Sequence, residues 1–219
     1  MTIALSQSPS QHTVFLRFVS WDTFNQLLTE LGNQRSQRLS YDQGILEIMT
    51  PLGIHENNNR FIESLILIIA DELDLNLKKF GSLTLKSSQY KQGIEPDSCY
   101  YIAQEPRVRN RHNIDLAIDP PPDLVLEIDI TNTSLNKLPI YANLGVPEVW
   151  RYDGRNLNVF VLDQENNQYQ TVFQSQAFPF LDIQLIPRLM QQSLEIGETA
   201  TLKQFRQWLK KNSQADRKS

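Results

Sequence analysis

Three consecutive prolines set directly before an apolar alternation constrain this chain more than any other segment. In Asp119-Pro120-Pro121-Pro122-Asp123-Leu124-Val125-Leu126-Glu127-Ile128-Asp129-Ile130-Thr131, the prolines lack the N–H that a ladder needs. They fix an extended entry, and a strand begins after them. Alternation then places Leu124, Leu126, Ile128 and Ile130 on one face and Val125, Glu127, Asp129 and Thr131 on the other. Two carboxylates therefore project from one sheet face. A solvated outer face would explain them cheaply; a site that uses negative charge is the competing reading.

A second segment carries the same chemistry. In Glu95-Pro96-Asp97, Pro96 holds its predecessor extended, and Asp97 enters the apolar stretch Cys99-Tyr100-Tyr101-Ile102. If the two strands are neighbours, Asp97 and Glu127 converge, and close carboxylates repel unless one is protonated or a cation neutralises them. A hard divalent ion such as Mg²⁺ suits an all-oxygen site made of one or two carboxylates, water and substrate phosphate. Beyond Glu127, at the start of the next expected helix, stands Lys137, whose long stem reaches back toward the strand end. An ammonium there would stabilise the anion developing on an attacked phosphate or help to deprotonate a water; a surface lysine is the plain alternative.

The surrounding pattern is that of one α/β domain. Phe24, Leu27, Leu28 and Leu31 recur at helical spacing over residues 21–31, with Ser20 as N-cap. Residues 38–41 and 45–49 read as two strands around a turn at Asp42-Gln43-Gly44, and Glu47 sits in mid-strand on the face of Ile45 and Met49. Residues 55–75 give the strongest helix signal, with Ile62, Leu65, Ile66, Ile69 and Leu73 on one face and Leu67 and Ile68 on its flank, which predicts a central core helix. Strands are expected at 82–87, 98–102, 124–130, 148–152 and 157–162, and helices at about 137–144 and 202–211. Alternating strands and helices favour a mixed sheet flanked by helices. No linker or repeat divides the chain, so the expectation is a flexible N-terminus over 1–14, one domain over 15–211 and a polar tail over 212–219.

Composition excludes several functions. With 219 residues and 40% apolar content the chain has enough to bury a core. A single cysteine, Cys99, and three histidines rule out a disulfide framework and leave too few ligands for a zinc site of usual spacing. The apolar run over 65–70 is far short of the roughly 20 residues that span a bilayer, and the N-terminus has no basic n-region. A protein of the cytoplasm with no membrane association is expected. No P-loop and no Gly-x-Ser-x-Gly elbow is present. The net charge of −4 argues against constitutive, sequence-blind binding of polyanions. Arg107, Arg109 and Arg111 could grip phosphate, and Lys203, Arg206, Lys210 and Lys211 could form a cationic helix face; both runs also read as solvated surface.

Asp97, Glu127 and Lys137 together resemble the active-site set of the PD-(D/E)XK nuclease superfamily. The likeness extends further. Tyr41-Asp-Gln-Gly-Ile-Leu-Glu47-Ile-Met-Thr-Pro51, followed by His55, is similar to the opening signature of the Uma-two family of endonuclease-like proteins. Lys137-Leu-Pro-Ile-Tyr141-Ala-Asn-Leu-Gly145-Val-Pro147-Glu148-Val-Trp150 is similar to its later one. The resemblance implies a restriction-endonuclease-like fold, Mg²⁺ or Mn²⁺ held by Asp97 and Glu127, and Lys137 as catalytic lysine. Glu47 and His55 would be motif residues near the same cleft. The family's lysine has moved to the helix from the position two after the Glu, where this chain has Asp129. That leaves Asp129 as a third metal ligand, a backbone-carbonyl provider or an acid at the rim. Pro139 fits the expected helix only if the helix begins close to Lys137, because interior proline costs about 3 kcal/mol. The implied activity is hydrolysis of phosphodiester bonds in DNA, with a homodimer suited to cutting both strands. A nuclease fold retained as a non-catalytic module for nucleic-acid or protein binding is the alternative.

Overall fold

The computed structural model describes residues 12–32, 35–81, 83–130 and 135–216. Strand β1 (His12–Arg17) leads into α1 (Trp21–Leu31), whose first turn is capped by Ser20: its Oγ accepts from the Thr23 N–H at 3.0 Å. Strands β2 (Arg38–Asp42) and β3 (Ile45–Thr50) form a hairpin around Gln43 and Gly44, both at positive φ (44° and 103°). That is the two-residue turn whose twist matches the strands. Helix α2 (Gly53–Glu72) follows, with Ile62, Leu65, Ile66 and Ile69 fully buried. Ile68 is also buried, whereas Leu67 is exposed on the opposite side, so α2 buries one broad face rather than its whole circumference.

Next come β4 (Lys78–Phe80), β5 (Leu85–Ser87), β6 (Gln92–Ile94), β7 (Ser98–Tyr101), the short α3 (Glu105–Val108) and β8 (Leu124–Ile128). Helix α4 (Leu138–Asn143) starts immediately after Lys137, which places Pro139 in the first turn, where no intrahelical N–H is required. The chain ends with β9 (Glu148–Tyr152), β10 (Leu157–Asp163), β11 (Gln168–Val172), α5 (Leu185–Ile196) and α6 (Glu198–Asp216).

The strands form two sheets where the sequence pattern pointed to one. A five-stranded antiparallel sheet has the order β1-β3-β2-β6-β5, and a six-stranded sheet the order β11-β10-β9-β8-β7-β4. The larger sheet is mixed: β8 runs parallel to β9, with α4 in the crossover, and antiparallel to β7. Every residue of β8 is buried. Leu124, Leu126 and Ile128 join a core with α2, α5 and α6, while Val125 joins a second core with Ile140 and Tyr141 of α4. The solvated outer face that would have explained the acids of this strand does not exist. Glu127 stands in the interior, between layers.

β1 was not anticipated. It begins at His12, inside the segment expected to fray, and pairs along its whole length with β3. Likewise α6 starts before residue 202 and continues past 211 to Asp216. The strand expected over 82–87 is observed as Leu85–Ser87, and Ser82 and Thr131 lie outside the described residues.

Candidate active site

The register of the β7–β8 pair, Ser98 opposite Leu126, sets Asp97 beside Glu127 at the entrance of β7. Asp97 is almost fully buried; its Oδ2 accepts from the Ile128 N–H at 2.8 Å. Asn59 of α2 fixes the same segment, donating to the Asp97 carbonyl at 3.3 Å and accepting from the Ser98 hydroxyl at 3.0 Å. Glu127 is gripped from α4. Lys137 Nζ donates to Oε2 at 2.6 Å, and the Tyr141 hydroxyl donates to Oε1. Lys137 and Tyr141 are four residues apart at the start of α4, so one helical turn takes both oxygens of one carboxylate.

Glu47, buried in mid-strand on β3, accepts from the Leu135 N–H at 2.5 Å and so ties the five-stranded sheet to the segment that delivers Lys137. His55, in the first turn of α2, is 1% exposed, and among the described residues neither ring nitrogen makes a hydrogen bond of full geometry. The Asp129 carboxylate, the Lys137 ammonium and the Ile128 carbonyl act on its imidazole, which burial pushes below the ordinary value. The Asp129 N–H donates to the Tyr152 carbonyl at 2.8 Å, holding that residue at the end of the parallel pair. A cavity of about 280 Å³ opens at this point, bounded by Glu127, Asp129, Lys137, Tyr141, Val149 and Arg151 among others.

The electrostatics follow from the count of charges. Glu47, Asp97 and Glu127 are all raised above the usual carboxylate range, first because burial penalises the anion, with the neighbouring acids adding to it. Lys137 is raised too: its three carboxylate neighbours outweigh its desolvation, and it stays an ammonium throughout the ordinary pH range. Lys137, with Arg38 acting on Asp97, faces three buried acids, and the remaining excess of negative charge is relieved by a proton or by a further cation.

The arginines expected to hold phosphate are not brought to this cleft. Arg109 makes a two-pronged pair with Glu105, at 2.8 and 2.7 Å, Arg111 pairs with Asp119 at 3.2 Å, and Arg107 donates to Gln104 at 3.3 Å. None of the three borders the cavity. On α6, Arg206 is bound to Asp71 and Glu72 of α2, so part of that cationic face serves helix packing. Cys99 is fully buried, its thiol pushed up to about 12, and is inert as a nucleophile.

Among the described residues, no three His, Cys, Asp or Glu side chains are grouped so as to hold a metal ion by themselves. Of the two adjoining carboxylates only Glu127 borders the cavity, and two carboxylates suit an ion that takes its remaining ligands from water rather than a dedicated all-protein cage.

The profile of the Uma2 family, described as "Putative restriction endonuclease", matches residues 21–196. The chain belongs to the Uma-two family. Its fold is similar to that of a "putative nuclease belonging to DUF820" from Anabaena variabilis ATCC 29413, whose crystal structure matches with a TM-score of 0.54. The identity is 16%, over 84% of this chain and 99% of that one. No curated protein matches the sequence. In this Uma-two chain the residues that sequence reasoning left without a role are Tyr141, Asn59 and Arg151. Tyr141 stood inside the quoted signature, and its spacing of four from Lys137 was the available signal. Asn59 and Arg151 carry no local signal, because only the tertiary fold brings them to the site.

Proposed function

We propose that the protein is a metal-dependent endonuclease that hydrolyses phosphodiester bonds in DNA. The observation that carries this reading is the junction of Asp97 and Glu127 on adjacent strands, with the Lys137 ammonium on Glu127. Asp97 and Glu127 would hold Mg²⁺ or Mn²⁺, with Asp129 beside them at the end of β8. Such an ion polarises the scissile phosphate and lowers the pKa of a bound water. Lys137, kept protonated by its carboxylate neighbours, acts by offsetting charge on the phosphate and by orienting the attacking water rather than by removing a proton. Tyr141 holds the Glu127 carboxylate in one orientation, and Glu47 fixes the backbone that leads to Lys137. His55, buried beside Asp129 with the Ile128 carbonyl at its ring, would face a substrate oxygen or water. Arg107, Arg109 and Arg111 would contact a duplex only outside the cavity, and a homodimer would present two such sites to the two strands.

The experiment is cleavage of supercoiled and linear DNA by the purified protein with Mg²⁺ or Mn²⁺, set beside Lys137→Ala. Divalent-dependent cleavage lost in that variant supports the reading. Cleavage that survives the substitution contradicts the mechanism. Binding of DNA with no cleavage under any divalent ion would favour a nuclease fold kept as a binding module. No described helix is long and apolar enough to cross a membrane, and we place the protein in the cytoplasm.

A further inference from the structure

Another cavity, of about 340 Å³, has walls that include Arg35, Ser36, Arg38, Leu52, Gly53 and Glu56, and the charges of Arg38 and Glu56 both act on Asp97 of the candidate active site. Arg38 opens β2. It lies opposite Met49, and Ser40 lies opposite Glu47, so Arg38 and Glu47 rise from the same face of the five-stranded sheet. The charge of Arg38 acts directly on Asp97. Arg38 is therefore the second cation of the site, after Lys137.

Arg38 differs from its neighbours in having no counter-ion. Arg35 pairs with Glu95 and donates to the Gly32 carbonyl, and Glu56, the one acid among the described lining residues, is paired with Arg60 at 2.6 Å. The Nε of Arg38 is buried with no hydrogen-bond partner, and so is that of Arg35. Among the described residues no carboxylate comes within ion-pair distance of Arg38. The buried Nε itself is closed to a ligand, but Arg38 borders the cavity without an ion-pair partner among the described residues, and an oxyanion there would meet its terminal N–H groups. The third wall is the start of α2. The helix is 20 residues long, and no side chain caps it at Leu52. The N–H groups of Gly53 and Ile54 therefore receive no capping acceptor, and the positive end of the helix dipole meets the cavity.

We propose that this cavity is a phosphate subsite, in which Arg38 and the first turn of α2 hold a backbone phosphate adjacent to the one that lies at Asp97 and Glu127. The identification of the phosphate as one of nucleic acid rests on the nuclease reading; the anion site itself rests on Arg38 and α2. Sequence reasoning assigned phosphate contacts to the run at 107–111, whose members have partners. Arg38 was passed over because it reads as an ordinary strand residue.

The test is fluorescence anisotropy of a labelled DNA duplex with the full chain in EDTA, where nothing is cut, over a series of salt concentrations. Arg38→Gln is expected to weaken binding about tenfold and to lower the slope of log K against log salt by about one, the signature of one lost phosphate contact. Arg38→Lys should restore the slope. A merely structural role for Arg38 would leave the slope unchanged, and unchanged affinity and slope in Arg38→Gln overturn the proposal. Inorganic phosphate that binds through Arg38 while duplex binding ignores Arg38 also overturns it, in favour of a free-phosphate site. Should Arg38→Gln fail to fold, the wild type is titrated with duplexes carrying one neutral methylphosphonate at successive positions. The subsite requires a position at which neutralisation lowers affinity, and the absence of any such position contradicts it. Because binding is read without metal, a failed cleavage assay leaves this outcome intact. Intact cleavage with no effect of Arg38 removes the subsite alone.

Discussion

Tyr141 and Lys137 hold the two oxygens of Glu127 from one turn of α4, and their contributions separate by substitution. Tyr141→Phe removes one donor to a buried carboxylate with little change of shape. A stability loss of about 2 kcal/mol is expected in urea denaturation, in the range of a hydrogen bond to a charged group. Lys137→Met acts through charge instead. Glu47, Asp97 and Glu127 already sit above the ordinary carboxylate value. The folded protein thus holds protons on them more tightly than the unfolded chain, and their contribution to stability is greatest at low pH and falls as pH rises through their folded values. Removing the ammonium raises them further, so Lys137→Met should lose more stability at pH 8 than at pH 5, as read by thermal melting. Equal losses at both pH values would show that Lys137 does not compensate these acids. Divalent binding has the opposite sign. It requires the anions, so calorimetry should show tighter Mg²⁺ or Mn²⁺ binding at pH 8 than at pH 5, with protons released.

Among the elements, α1, α2, α4, α6 and the two acid-bearing strands were readable from sequence because each carries its own periodicity or a proline boundary, whereas α3 and α5 were not anticipated. Residues 21–31 and 148–152 appear with the expected bounds. Pro139 indicated where α4 had to begin, and α4 begins there. β1 was missed because its exposed Val14, Phe15 and Leu16 show no alternation between buried and open positions. Its pairing with β3 is a long-range fact. The division into two sheets was hidden for a similar reason: β4, β5 and β6 have three residues each, too few for a period to register. One position in β6 is nevertheless decisive. A Cβ on Gly93 would lie 2.6 Å from Cε1 and 2.7 Å from Cζ of Phe24. That ring is fully buried and stacked on Tyr41 at 4.8 Å between centroids, so it cannot withdraw freely. Gly93→Ala should cost about 1–3 kcal/mol, measured by denaturant unfolding. A neutral result would mean that α1 can shift on the sheet.

At the scale of the molecule, two buried acids serve as fasteners, which sets them apart from the acids of the cleft. Glu148 accepts from Trp150 Nε1, the Ser175 hydroxyl and the N–H groups of Gln176 and Ala177, linking β9 to the loop that leads toward α5. Glu148→Ala would strand these donors and is expected to destabilise the fold by about 3 kcal/mol or more. Glu95 does the same for β2, accepting from the Leu39 N–H while paired with Arg35. From sequence, Glu95 and Asp97 looked alike as acids flanking one proline; the chain passes from the five-stranded sheet to the six-stranded one between β6 and β7, which leaves Glu95 with Arg35 and brings Asp97 to Glu127. The acidic balance of the chain is thus partly structural and partly concentrated in one cleft, where Lys137 and Arg38 offset some of it. As proposed, Asp97, Glu127 and Lys137 form one hydrolytic site for DNA. That role is tested most directly by the single-turnover rate of DNA cleavage with saturating Mn²⁺ for the wild type, Asp97→Asn and Lys137→Met. Measurable Mn²⁺-dependent cleavage is expected of the wild type, with a fall of at least about a hundredfold in each variant. Equal rates in all three proteins would contradict that role.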